Sequence, residues 1–241
     1  MPGIILTGSA GRLEARYHHS KHPDAPLAIV LHPDPMQGGT MNNRVTVTLY
    51  NTFIENGFSV VRFNYRGVGK SEADQSTDDF EEELQIKTKA DSKGGKLRGR
   101  EEGDLNDSVA VLEWIQSINP GQRPIWIAGF SYGALMGMQL LMRRPEIVGF
   151  ISICPPVNVY DFSFLAPCPA SGMIINGDKD VFCPLEPVNK LVDKLNNQKG
   201  VAIDYRVIPG CDHAFTGHLE DISKCVTEYV TLKSDQQAAL A

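Results

Sequence analysis

Two hydrophobic patterns alternate along this chain. Short runs rich in apolar residues occupy 27–31, 58–63, 125–128, 148–153, 172–176 and 201–208, the last interrupted by Asp204 and Arg206. The continuous run 27–31 reads as a parallel strand covered on both faces, 125–128 as a buried strand and the others as further strands. Between them, apolar residues recur every third or fourth position. Val45, Leu49 and Phe53 line one face of a helix over 43–56, with Gly57 as its stop. Leu105, Val109, Leu112 and Ile115 set the phase of a helix over 104–118. Further helices are predicted over 134–142, ended by Pro145, over 188–195 and over 216–232. Residues 4–6 and 12–18 read as strands joined by a Gly8–Gly11 turn, an antiparallel edge hairpin. The whole predicts an α/β fold, a mainly parallel sheet with helices on both faces and right-handed crossovers.

The charge pattern breaks this rhythm once. Residues 72–102 gather acids at Asp78, Asp79 and Glu81–Glu83, then bases at Lys87, Lys89, Lys93, Lys96, Arg98 and Arg100. With few apolar residues they read as a solvated, mobile insertion, or more sharply as a flap or docking loop. The tail 234–241 reads as frayed.

The chain has 241 residues, enough for one α/β domain with a large core, and 42% are hydrophobic. A net charge of -6 argues against nucleic acid as a partner. No run is long enough to span a membrane. The five cysteines are odd in number and none is spaced as CxxC. With no secretory leader pattern at the N-terminus, reduced thiols and a cytoplasmic location are expected. His18, His19 and His22 crowd together, but no Cys or carboxylate joins them at ligand spacing, so a polar turn is expected there and no metal.

Candidate chemistry lies where the predicted strands end. Gly129-Phe130-Ser131-Tyr132-Gly133 stands between a strand and a helix, the setting of a nucleophile elbow. A serine needs a base, and the base an orienting acid, in the chain order Ser, Asp or Glu, His. Beyond Ser131 the histidines are His213, in a turn after the last strand, and His218, at the start of the closing helix. His213 is the expected base. Asp178 and Asp180 both follow the strand 172–176. Asp180, further into its loop, is the expected acid, and Asp178 the alternative that shapes the turn. For an oxyanion hole, one N–H falls to Tyr132 and the other to the turn after 27–31. Pro33 and Pro35 lack the donor, which leaves Asp34, then Met36. An Asp34 carboxylate beside an oxyanion is unfavourable unless it turns away or finds a cation. Met36, Tyr65, Tyr132, Phe162, Phe164 and Phe182 are the candidate pocket residues, with core packing as their other reading. The stretch 64–71, ending Gly67-Val68-Gly69-Lys70-Ser71, imitates a P-loop. It has Asn64 where the leading glycine belongs and no amphipathic helix directly after.

In these motifs and their order the chain resembles the α/β-hydrolase superfamily. It is most similar to small lidless bacterial hydrolases akin to dienelactone hydrolase. The resemblance rests on segments 32–41, 62–71, 129–133, 155–169, 177–180 and 209–215 and spans about residues 4 to 230. It implies acyl transfer with Ser131, Asp180 and His213 as triad, no large lid and no cofactor. Dienelactone hydrolase itself uses a cysteine nucleophile where this chain has serine, so its substrate is not carried over. Relatives of this group usually read His-Pro-His-Pro where this chain has His32-Pro33-Asp34-Pro35, and their link after the Arg66 turn is short. The expected function is a serine hydrolase of small to medium esters or thioesters. Two other classes stand beside it: a hydrolase fold turned binding or scaffold protein, and a P-loop-like nucleotide binder.

Overall fold

A computed structural model describes residues 3–73 and 94–238. Its eight-stranded sheet has β1 (Gly3–Thr7), β2 (Arg12–His18), β3 (Leu27–Leu31), β4 (Ser59–Phe63), β5 (Ile125–Phe130), β6 (Ile147–Ile153), β7 (Gly172–Gly177) and β8 (Ile203–Ile208). The order across the sheet is β1-β2-β4-β3-β5-β6-β7-β8. The β1–β2 hairpin is antiparallel, β2 joins β4 antiparallel, and every pairing from β4 to β8 is parallel. β3 is fully buried and feeds both faces of the core. Leu27, Ile29 and Leu31 point to one side, Ala28 and Val30 to the other.

Helices α1 (Arg44–Glu55), α2 (Gly94–Ser117), α3 (Tyr132–Arg143), α4 (Leu185–Asn196) and α5 (Leu219–Ala238) cover the sheet. On one face Leu105, Val111 and Leu112 of α2, Leu135 and Met138 of α3 and Val188 and Leu191 of α4 pack together. On the other, Val45, Leu49 and Phe53 of α1 meet Ile222, Val226 and Tyr229 of α5. Asn43 caps α1: its Oδ1 accepts from Val45 N–H at 3.0 Å, satisfying a donor the helix cannot pair. The connection from β6 to β7 holds only turns, so among the described residues it builds no lid over the carboxyl ends of the strands.

Two elements differ from their sequence patterns. α2 begins at Gly94 rather than Asp104, so residues 94–102 of the charged stretch are helical. The remainder of that stretch, 74–93, lies outside the described residues. α5 runs on to Ala238, where the sequence predicted a frayed tail from Ser234. Backbone hydrogen bonding carries a helix past its apolar stripe when no Gly or Pro intervenes, and none does in Ser234-Asp235-Gln236-Gln237-Ala238.

Candidate active site

Ser131 sits between β5 and α3 with φ 54 and ψ -118, a conformation an L-residue adopts at a cost of about 1–3 kcal/mol. The two glycines around it make this turn sterically possible. A Cβ on Gly129 would meet Gly133 O at 2.1 Å, and a Cβ on Gly133 would meet Leu31 O at 2.4 Å. Both obstacles are backbone, so neither can swing aside. Ser131 N–H donates to Ile153 O at 2.8 Å, which pins the turn to the next strand. Ser131 is half-buried and stands at the N-terminus of α3, where the helix dipole favours negative charge.

The loop after β8 presents His213. Its Nδ1 lies 2.7 Å from Asp180 Oδ2. Phe130, beside Ser131 in the chain, holds the imidazole from one side at a ring separation of 5.0 Å, and Phe182 packs at 5.3 Å. Asp180 is buried at the end of the β7 loop. Its Oδ1 accepts from the N–H groups of Phe182 and Cys183 at 2.8 and 2.9 Å. Burial alone would push this carboxyl up. The hydrogen bonds from His213, the Cys154 thiol and the Cys183 amide outweigh it and hold the carboxyl below its ordinary value. Asp178 does another job, accepting from Gly210 N–H at 2.6 Å and so tying the β7 loop to the His213 loop. His218 pairs with Asp221 at 2.8 Å on the surface.

Cys154 was not a sequence candidate. Its sulfur, the Asp180 carboxylate and a His213 ring nitrogen lie within 4.8 Å of one another. The residue is fully buried at the end of β6 with φ 46, and its carbonyl accepts from the Cys183 thiol at 3.1 Å. Cys, Asp and His are all competent metal ligands. Here Oδ1 is held by two amides, Oδ2 lies against the imidazole, and the Cys154 thiol also bonds the carboxylate. Burial, then the Asp180 charge, pushes the Cys154 thiol well up, so it remains a protonated donor. Its place just past a strand's carboxyl end was the signal in the sequence.

On the other side of the elbow, Asp34 opens a 3-10 turn, Pro35–Gln37. Its carboxylate turns back to accept Met36 N–H at 2.8 Å. Met36 N–H, the second oxyanion candidate, is therefore engaged. Asp34 N–H and Tyr132 N–H make no backbone hydrogen bond among the described residues. The turn is anchored by His32, fully buried, whose Nδ1 lies 2.7 Å from Pro33 O while Nε2 accepts from Tyr65 N–H at 3.3 Å. Burial pushes the His32 imidazole down to about 4, so it is neutral in ordinary buffers.

The candidate pocket residues divide. Met36 and Phe182 are exposed, 73% and 60%. With Val159 and Val181 they leave apolar surface on loops at this end of the sheet. Phe162 and Phe164 stack on each other at 5.8 Å, the first in the core and the second against it. Tyr65 was expected to line the pocket, but it is fully buried between the rings of His32, Phe63 and Tyr132. Its aromatic bulk fills the core beneath the site. The P-loop look-alike is equally occupied: Lys70 N–H donates to Glu14 Oε2 at 2.9 Å, and the Ser71 hydroxyl donates to Asn64 O at 2.7 Å. A carboxylate thus fills a place where a phosphate would need a donor.

The family described as alpha/beta hydrolase fold matches residues 39–171. An uncharacterized protein of Rickettsia prowazekii is 42% identical over 240 residues, spanning 98% of this chain and 91% of its own length. A crystal structure from Agrobacterium tumefaciens, of unknown function and described as an alpha/beta hydrolase, is 44% identical with a TM-score of 0.83. It aligns over 98% of this chain and 97% of its own. A Xanthomonas campestris serine hydrolase without lid has a TM-score of 0.75 at 28% identity, over 95% of this chain and 93% of its own.

Proposed function

This chain belongs to the alpha/beta hydrolase family, and on that premise we propose that it is a serine hydrolase acting on small to medium esters or thioesters. The observation that carries the reading is the 2.7 Å Asp180–His213 hydrogen bond, with the imidazole packed on Phe130, the neighbour of the strained Ser131. Asp180 fixes the tautomer with the proton on Nδ1, which leaves Nε2 as a base. Nε2 takes the Ser131 hydroxyl proton as Oγ attacks the substrate carbonyl. The carbonyl π pair moves onto oxygen, and that oxyanion is met by the N–H groups of Tyr132 and Asp34. Collapse expels the alcohol or thiol, which leaves with the proton from His213. Water, deprotonated by the same imidazole, then attacks the acyl-enzyme and releases the acid and Ser131. The apolar side chains of Met36, Val159, Val181 and Phe182 suit an apolar acyl or leaving group.

Asp34 is compatible with this chemistry because its charge is directed to Met36 N–H. Cys154 is a poor rival nucleophile, since the thiolate is the reactive form and this thiol is buried and held protonated. Labelling with a fluorophosphonate, read by intact mass and peptide mapping, tests the proposal without knowledge of the substrate. One adduct is expected on Ser131, and none in Ser131→Ala or His213→Ala. A folded wild type that takes no label would instead support a binding or scaffold protein.

A further inference from the structure

The two proposed oxyanion donors come from different loops, and both loops are tied to one face of α2. Tyr132 Oη donates to Asp104 Oδ2 at 2.9 Å, in the core. One turn earlier in α2, Arg100 Nε lies 3.4 Å from the same oxygen, an ion pair rather than a hydrogen bond. Arg100 Nη1 in turn rests on Met36 Sδ at 2.9 Å. Met36 N–H is held by the Asp34 carboxylate. An unbroken line of contacts therefore runs Tyr132–Asp104–Arg100–Met36–Asp34.

Two observations give this line a purpose. The 3-10 turn Pro35–Gln37 buries none of its own residues, so between its anchors at His32 and Gly39 its middle is held by few packing contacts. Asp104, meanwhile, is fully buried, and its Oδ1 makes no hydrogen bond among the described residues. A buried carboxylate with an unmatched oxygen costs stability. Stability alone does not explain such an acid in the core, whereas a need to hold Tyr132 does. An oxyanion hole works only when both donors converge on one point, and small displacements lose much of its effect.

We propose that Arg100 and Asp104 are positioning residues, a strap from α2 that holds the Asp34–Met36 turn and Tyr132 in register so that their N–H groups meet one oxyanion. The inference rests on Ser131 being the nucleophile.

The test uses p-nitrophenyl acetate turnover and binding of phenylboronic acid, which forms a tetrahedral adduct on an active serine. Arg100→Ala, Asp104→Asn and Tyr132→Phe are each expected to lower kcat by about tenfold, part of the about 10²–10³ lost when a donor is removed outright. KM should stay within about twofold, and boronate affinity should fall by the same factor as kcat. The double variant Asp104→Asn/Tyr132→Phe should be no worse than Asp104→Asn alone, because both act through one contact. Variants that fold and keep wild-type kcat and boronate affinity overturn the inference, as do losses that multiply in the double variant. If Asp104→Asn fails to fold, Arg100→Ala and Tyr132→Phe decide it. A wild type that also takes no fluorophosphonate brings down the serine-hydrolase reading itself. A wild type that labels, with variants labelling equally fast, brings down only the strap.

Discussion

At the scale of single residues, the elbow spends backbone strain to expose one hydroxyl. Ser131 sits at φ 54 because Gly129 and Gly133 let the chain pass within contact distance of itself and of Leu31. Gly133→Ala would drive a Cβ into Leu31 O, an obstacle that is itself part of β3. Loss of soluble expression, or a fall of at least about 3 kcal/mol in urea unfolding, is expected. Gly57→Ala is the control. Its Cβ would enter open space, so only the left-handed φ of 84 is penalised, by about 1 kcal/mol. Cys154 makes a subtler case. Its thiol donates to the same carboxylate that orients His213. Cys154→Ala should slow fluorophosphonate labelling several-fold, and Cys154→Ser, which keeps a donor, should restore most of the rate. These residues were unequally legible. The elbow is a contiguous motif whose glycines have one steric explanation. Cys154 reaches the site only through the pairing of β6 with β7. No spacing in the sequence shows that pairing.

At the scale of elements, most boundaries followed from hydrophobic period, and α2 shows where period fails. Its apolar stripe starts at Leu105, but its backbone starts at Gly94. The turns before the stripe carry Lys96, Arg98, Arg100, Glu101 and Glu102 and few apolar residues, so they leave no periodic trace. A trace of another kind was present, since Asp104 and Ser108 fall in phase with the buried Val111 and Ile115. An acid on a core face is unusual enough to mark a role. Asp104 and His32 also load the two sides of the site with opposite pH dependence. Burial pushes Asp104 up to about 6, against Arg100 and the Tyr132 hydroxyl, which pull it down. Its folded pKa exceeds its unfolded value, so acidification from pH 6 toward 4 favours the folded state. His32 is depressed to about 4, so over the window from 6.5 down to 4 the unfolded state takes the proton first and stability falls. The two slopes oppose each other in the wild type. Asp104→Asn removes one of them. Its Tm relative to wild type should be highest near pH 7 and drop by several degrees by pH 4, as scanning calorimetry across that range would show.

At the scale of the molecule, the site is a property of the sheet. β3, β5, β7 and β8 each send one loop from their carboxyl ends, carrying Asp34, Ser131, Asp180 and His213 in turn. Parallel strands put those ends on one side, which is how residues far apart in sequence are carried to the same edge of the sheet. The same arrangement governs how the chain must come into being. β3 lies between β4 and β5, so Leu27 finds one neighbour at Ser59 but waits for Ile125 to find the other. A polypeptide emerging residue by residue from a ribosome therefore carries its most apolar strand half-paired until the middle of the message has been read. Such long-range pairing slows folding and exposes sticky edges on the way. The strand that leads into Ser131 is thus also the one whose arrival closes the centre of the sheet, and nascent chains that stall before it present β3 to chaperones and to each other.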